Sequence, residues 1–98
     1  MEIIHLEEAK DFNELIKTEK ILVDFYANWC GPCRMLSPIL ESTKSDIKVI
    51  KVDTDKFEDL SREYGVMSIP TLVLLEKGKE VKRSVGLLEP ARLKEFLK

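Results

Sequence analysis

Apolar positions along the chain follow two spacings, which predict short strands and helices in alternation. Nearly continuous apolar runs rich in branched side chains are typical of strands that are covered on both faces. Such runs occupy residues 21–27, 47–52 and 71–75. Apolar residues three and four positions apart indicate the buried side of a helix. This second spacing occurs over residues 9–16, 35–43, 57–64 and 90–97.

Two further strands complete the predicted order β-α-β-α-β-α-β-β-α. Residues 3–6 form a short apolar segment, and residues 80–85 alternate and are more polar, as expected of a sheet edge. Helical crossovers join parallel strands, whereas the last two strands form an antiparallel hairpin. The pattern therefore predicts a single α/β domain over residues 1–98. Its central mixed sheet has about five strands and is flanked by four helices.

Proline and glycine refine two of the predicted helices. Pro38 interrupts the apolar spacing of the second helix, and that spacing resumes beyond it. Because proline has no N–H, we expect the helix to bend there and continue. Gly65 is expected to cap the C-terminus of the third helix.

Charge and hydropathy limit the partners of the chain. Its 98 residues carry 16 Lys and Arg against 18 Asp and Glu, a net charge of -2, and the two signs are interspersed. Phosphate binding needs a basic cluster, so we expect no nucleic-acid partner. No apolar run has the length of a membrane span, and the first residues lack the pattern of a secretory signal. We therefore expect a cytoplasmic monomer with no membrane contact.

Both cysteines of the chain, Cys30 and Cys33, lie in the segment NWCGPCRM. A zinc site needs about four nitrogen or sulfur ligands, and His5 is the only histidine. A structural disulfide across so short a loop contributes roughly 2 kcal/mol, against about 5 for a loop of roughly a hundred residues. Two inert, buried thiols are a third interpretation. Gly-Pro at a strand-to-helix junction argues against it, because this junction favours an exposed first sulfur.

Redox chemistry is the interpretation that accounts for the spacing. Residues i and i+3 lie side by side on a helix, so two sulfurs there form a bond that is easily made and broken. Cys30 falls at the predicted helix N-terminus, where free N–H groups and the helix dipole favour a thiolate. Cys33 lies one turn further and is expected to be less exposed. We therefore predict that Cys30 attacks and Cys33 resolves.

Several motifs resemble the thioredoxin family over essentially the whole chain. They are Trp-Cys-Gly-Pro-Cys after VDFYA, Pro38, Ile69-Pro70-Thr71 before a strand, and Val85-Gly86 before the last helix. The resemblance implies a protein disulfide reductase that receives electrons from a thioredoxin reductase, itself supplied by NADPH. It also implies that the chain binds no cofactor, and the sequence contains no dinucleotide fingerprint.

The resemblance also implies roles for individual residues. Cys30 matches the nucleophile of the family and Cys33 its resolving thiol, together a redox-active disulfide. Pro70 matches the cis-proline that faces this disulfide, and the backbone of Ile69 matches the segment that pairs with an extended substrate chain. A flat apolar surface for protein substrates is implied at the matching positions Trp29, Gly31, Pro32, Ile69, Pro70 and Gly86.

Two charged residues interrupt the apolar strands. If Asp24 is buried, its pKa rises toward neutrality, and it becomes a plausible proton acceptor for Cys33, through water. It matches a buried aspartate of the family; the alternative is a solvated strand edge. Lys51 matches a family lysine near that aspartate, with a tuning role. A lysine that extends from a strand to water is the alternative.

Three positions depart from the commonest pattern of the thioredoxin family. Tyr26, Asn28 and Arg34 differ from the usual residues and are expected to affect partner choice rather than the thiols.

One alternative function is a thioredoxin-like subunit that binds a partner while its thiols stay idle. Another is an oxidant or isomerase in an oxidising compartment, against which the Gly-Pro pair argues by resemblance.

Overall fold

The computed structural model describes residues 1–98 and contains a five-stranded mixed sheet. The strands are β1 (Ile3–His5), β2 (Lys20–Tyr26), β3 (Lys48–Asp53), β4 (Thr71–Glu76) and β5 (Lys79–Val85). They lie in the order β1-β3-β2-β4-β5. β1, β3 and β2 are parallel, whereas β4 is antiparallel to β2 and β5 is antiparallel to β4. The predicted α/β fold with a mixed sheet is confirmed.

Helices connect the strands in the predicted order. They are α1 (Phe12–Leu15), α2 (Gly31–Ser42), α3 (Glu58–Glu63) and α4 (Pro90–Phe96), with a 3-10 turn at Ala9–Asp11 before α1. None of them combines the length and the apolar character that a membrane crossing requires.

Each face of the sheet has its own apolar cluster, because successive side chains of a strand point to opposite faces. One face, here called the α1/α3 face, is built around Val23, Phe25, Ile50, Val73, Phe12 and Phe57. The other, the α2/α4 face, is built around Leu22, Val49, Leu72, Leu36, Leu40 and Leu93. The sheet is therefore covered on both faces, as the continuous apolar runs predict.

The first helix is shorter than the predicted span of residues 9–16. A 3-10 turn replaces its start, and neither Glu8 nor Asp11 makes a side-chain cap bond there. Without such caps the N-terminal N–H groups lack side-chain partners, so a short helix depends on packing. That packing comes from Phe12 and Ile16, both of which are buried.

The helix that follows the cysteines runs through Pro38 without interruption. It ends at Ser42, and the C-cap residue Thr43 donates a hydroxyl hydrogen bond to the carbonyl oxygen of Ile39 at 2.7 Å. Leu36 and Leu40 anchor its inner side in the α2/α4 face. The long helix therefore holds its first turn, with the cysteines, at a defined place beside the sheet.

The C-terminal hairpin forms one edge of the sheet, opposite the short edge strand β1. Its turn places Lys77 at φ 51° and Gly78 at φ 82°, a left-handed conformation that glycine adopts at little cost. All of β5 is exposed except Ser84, which is half-buried, and the strand carries Lys79, Glu80, Lys82 and Arg83. Gly65, at φ 63°, ends α3 as predicted.

Candidate active site

Cys30 and Cys33 are joined by a disulfide at the start of α2, with their Cα atoms 5.2 Å apart. Cys30 is the N-cap residue of the helix, and the backbone N–H of Cys33 donates to its Sγ at 3.2 Å. Pro32 stands in the first turn, where a missing N–H leaves no bond unmade. The sulfur of Cys30 therefore receives the hydrogen bond that a thiolate at a helix N-terminus would use.

The two cysteines are covered to nearly the same extent. Cys30 is 5% exposed and Cys33 is 3% exposed, so the expectation of an openly exposed first sulfur is wrong for this disulfide form. The pair packs with Ala27, Tyr26 and Ile69, which shield both sulfurs. The difference between them is one of direction, because Cys30 lines a surface groove and Cys33 does not.

That groove has a volume of about 540 Å³, and none of its lining residues is charged. Four of the predicted surface positions line it beside Cys30: Trp29, Gly31, Pro32 and Ile69. Trp29 is 68% exposed, and its indole Nε1 donates to Asp55 Oδ2 at 2.9 Å, which fixes the ring at the rim. The groove therefore offers an uncharged and partly apolar surface next to one sulfur.

Pro70 and Gly86, the remaining predicted surface positions, do not line the groove. The Ile69–Pro70 peptide bond is cis, and the carbonyl oxygen of Ile69 lies 3.9 Å from Cys30 Sγ. The N–H of Gly86 donates to the carbonyl oxygen of Pro70 at 2.8 Å. Gly86 has φ 99°, which L side chains rarely adopt, so glycine suits this position. The structure thus brings Pro70 and Gly86 together and places Ile69 against the disulfide.

Asp24 is buried in the centre of the sheet. It is 1% exposed, and neither carboxylate oxygen has a hydrogen-bond partner. Burial disfavours the charged form and raises the pKa of Asp24 from 3.8 to about 6, although the nearby Lys51 opposes the rise. The alternative of a solvated strand edge is therefore wrong, and a buried carboxyl with open oxygens faces the interior near α2.

Lys51 lies opposite Asp24 on the neighbouring strand and is also buried, at 9% exposure. Its Nζ is 3.7 Å from Asp24 Oδ2, donates to Ser37 Oγ, and lies 4.5 Å from the centroid of the Tyr26 ring. An ammonium at this distance attracts the carboxylate without forming a hydrogen bond to it. Lys51 does not extend to water, so that alternative is wrong.

Three residues of the site escaped the sequence analysis. Ser37 lies four positions after Cys33 on the same side of α2, and this spacing was a usable signal. Met67, which is 94% exposed and lines the groove, lies three positions before Pro70. Asp55 had no signal, because its contact with Trp29 joins segments that are 26 residues apart. No cluster of three or more His, Cys, Asp or Glu side chains is placed to hold a metal ion.

Comparison with known proteins agrees with this geometry. The family model described as Thioredoxin matches residues 2–98. A thioredoxin of Mycoplasmoides gallisepticum is 41% identical over 98 residues, which cover 96% of this chain and 98% of that protein. A thioredoxin of Chlamydia caviae is 49% identical over 82 residues, 81% of this chain and 80% of that protein. Among solved structures, a mutant thioredoxin from Halobacterium salinarum has a TM-score of 0.91 at 37% identity, covering 97% of this chain and 87% of that one.

The family model matches nearly the whole chain, and a disulfide-bonded Cys-Gly-Pro-Cys motif lies at a helix N-terminus. Together these two findings identify the family and the class of reaction. The chain belongs to the thioredoxin family, and it is a thiol-disulfide oxidoreductase that reduces protein disulfides.

Proposed function

We propose that Cys30 is the nucleophile and Cys33 the resolving thiol of this reductase. The Cys30 thiolate attacks one sulfur of a target disulfide, and the other target sulfur leaves as a thiolate. Cys33, once deprotonated, attacks the Cys30 sulfur of the mixed disulfide and releases the second target thiolate. Two electrons have then passed to the target, and the Cys30–Cys33 bond has formed. One contact supports this order above all, the hydrogen bond from the N–H of Cys33 to Cys30 Sγ.

The groove beside Cys30 is the proposed binding site for the target chain. An extended segment of the target lies along Trp29, Gly31 and Pro32 and pairs with the backbone of Ile69. Pro70 and Gly86 shape the wall behind that segment through their mutual hydrogen bond. Because no charged residue lines the groove, we expect it to accept apolar side chains next to the attacked cysteine.

Asp24 is the proposed proton acceptor for Cys33, through water. A carboxyl whose pKa lies at about 6 is ionised at neutral pH and still a stronger base than an ordinary aspartate. Its open oxygens support this role, since they are free to accept hydrogen bonds from such a water. Lys51 tunes the base, because its positive charge 3.7 Å away lowers the pKa of Asp24.

A thioredoxin reductase that draws on NADPH is the proposed electron donor. One relative supports this, a protein of Mycobacterium leprae named bifunctional thioredoxin reductase/thioredoxin. It is 41% identical over 95 residues, which cover 92% of this chain and 21% of that protein. NADPH then acts only through the reductase. We further propose that the chain works as a cytoplasmic monomer.

The two-step order is tested by trapping the mixed disulfide. In an insulin-reduction assay with dithiothreitol, Cys30→Ser is expected to abolish catalysis. Reduced Cys33→Ser, mixed with insulin after its dithiothreitol has been removed, is expected to accumulate one covalent insulin adduct per molecule, visible by mass spectrometry and released when dithiothreitol is added back. The double variant Cys30→Ser/Cys33→Ser is the control and should trap nothing. An adduct on Cys30→Ser, or none on Cys33→Ser, would contradict the assignment.

The role of Asp24 is tested on the second step alone. Release of a preformed mixed disulfide is followed by stopped-flow as a function of pH. We expect Asp24→Asn to slow this release and to remove the part of its pH dependence that lies near pH 6. An unchanged pH profile in Asp24→Asn would exclude the carboxyl from the reaction.

A further inference from the structure

Ser37 connects the helix of the cysteines to the buried charges of the sheet. Its Oγ donates to the carbonyl oxygen of Cys33 at 3.4 Å and accepts a hydrogen bond from Lys51 Nζ. A serine inside a helix commonly bonds the carbonyl four residues earlier, which leaves its lone pairs free for another donor. Lys51 is thereby attached to α2, one turn beyond the resolving cysteine.

Lys51 lies between two acceptors and is hydrogen-bonded to only one of them. The distance of 3.7 Å from Nζ to Asp24 Oδ2 is too long for a hydrogen bond, and both oxygens of that carboxylate are without partners. A buried ammonium is attracted to a buried carboxylate that faces it, because the local dielectric is low. The bond to Ser37 Oγ is the hydrogen bond that competes with Asp24 for this ammonium.

We propose that Ser37 is a positioning residue of the reductase reaction. By holding Lys51 Nζ on α2, it prevents a direct hydrogen bond between the ammonium and Asp24. The carboxylate oxygens then stay open to receive the proton of Cys33. This inference rests on the role proposed above for Asp24, and it adds the residue that sets how far Lys51 can weaken that base.

The groups that face Asp24 leave Lys51 as its positive neighbour. On β3 this is Lys51 itself, in register with Asp24, and on β4 the residue in register is Leu72, which carries no charge. On its own strand lies Tyr26, whose phenol pKa is raised by burial and by Asp53 and Asp24, so that it stays neutral. The helix contributes the uncharged Ser37, which contacts Lys51. The position of Lys51 therefore governs the electrostatic field at the carboxyl.

The test is a direct titration of Asp24 by carboxyl carbon NMR in the oxidised protein, the state of this structure. In Ser37→Ala, Lys51 loses its acceptor on α2 and is expected to move to Asp24. Because an opposite charge within hydrogen-bond reach stabilises a carboxylate, the pKa of Asp24 should then fall by roughly one unit. Ser37→Thr keeps the hydroxyl and should retain the original pKa. Alanine is a good helix former, so α2 persists in the first variant.

A double-variant cycle separates this mechanism from a general structural effect. In a Lys51→Met background, Ser37→Ala should leave the pKa of Asp24 unchanged, because the charge that moves is gone. An unchanged pKa in Ser37→Ala alone, or an equal fall with and without Lys51, would overturn the inference.

The kinetic arm tells the inference apart from the proposed function. If the pKa falls and the pH profile of mixed-disulfide release moves down with it by about one unit, both are supported. If the pKa falls and the release profile stays in place, Ser37 positions Lys51 as inferred, whereas Asp24 is not the proton acceptor.

Discussion

Both faces of the sheet are covered, yet the central strands place different side chains on them. Toward the α1/α3 face, the buried residues of β2 and β3 are all apolar, among them Val23, Phe25 and Ile50. Toward the α2/α4 face, the same strands alternate Leu22 with Asp24 and Val49 with Lys51. Asp24 and Lys51 lie near the C-terminal ends of β2 and β3, and the chain runs from the end of β2 to the cysteines. On the α1/α3 face the central strands contribute only apolar packing. On the α2/α4 face the buried charges reduce stability at the place where the reaction needs Asp24 as a base.

We expect the largest effect from a cavity made in the α1/α3 face. Phe25 has no exposed surface, so Phe25→Ala should lower the free energy of unfolding by about 3 to 5 kcal/mol. The rate of mixed-disulfide release, measured where the variant is still folded, should be unchanged. Urea unfolding measures the free energy of unfolding, and the stopped-flow assay measures the rate of mixed-disulfide release. A changed release rate would show that the two faces do not act independently.

Removing the buried charge of Asp24 should raise the free energy of unfolding, in contrast to Phe25→Ala. Folding raises the pKa of Asp24 from 3.8 to about 6, so between these pH values the folded chain holds a proton that the unfolded chain has lost. The free energy of unfolding therefore falls as pH rises through that window. Asp24→Asn should raise the free energy of unfolding by about 3 kcal/mol at pH 8 and leave it almost unchanged at about pH 3, below both pKa values. Denaturation at both pH values measures this, with the exposed Asp46→Asn as control. An increase of equal size at pH 3 would be inconsistent with titration of Asp24 as its source.

Removing the partner charge should sharpen the same contrast. Lys51 lowers the pKa of Asp24, so Lys51→Met should raise that pKa above about 6. The pH profile of mixed-disulfide release should move to higher pH by about one unit, since a nearby opposite charge shifts a carboxyl by one unit or more. Lys48→Met, at an exposed position on the same strand, is the matched control. A shift to lower pH would mean that Lys51 does not stabilise the carboxylate.

The smallest effect is expected from a charge placed outside, in the groove. Met67→Glu should weaken target binding by about 1 kcal/mol, roughly fivefold in kcat/KM, because a carboxylate resists burial under an apolar target. Release of the mixed disulfide should keep its rate. Met67→Gln separates loss of apolar surface from the added charge. An effect on release would show that the groove and the buried charges share one electrostatic field.

Much of the fold could be predicted because the strands that form it are covered on both faces. The runs around Phe25, Ile50 and Val73 are mostly apolar on both sides of the strand, and only a buried strand makes that pattern favourable. Apolar spacing overestimates the first helix, since it shows which side packs and says little about where uncapped ends unravel.

The site was predictable where its signal was local. Cys30 and Cys33 are three positions apart, and helix geometry alone brings them together. Asp24 and Lys51 were recognisable as charges in apolar strands, but their pairing depends on the register between β2 and β3, which periodicity does not determine. The nearly equal burial of the two sulfurs depends on Ile69, which is distant in the chain.

The open edge at β5 has a consequence for handling the protein at high concentration. A strand with unpaired backbone groups along one side is a template on which a second molecule can add its own strand. Here Lys79, Glu80, Lys82 and Arg83 occupy that strand, and sideways stacking would bring their like charges together. We expect concentrated solutions to resist fibril growth, and neutralising these four side chains to shorten the lag before fibrils form.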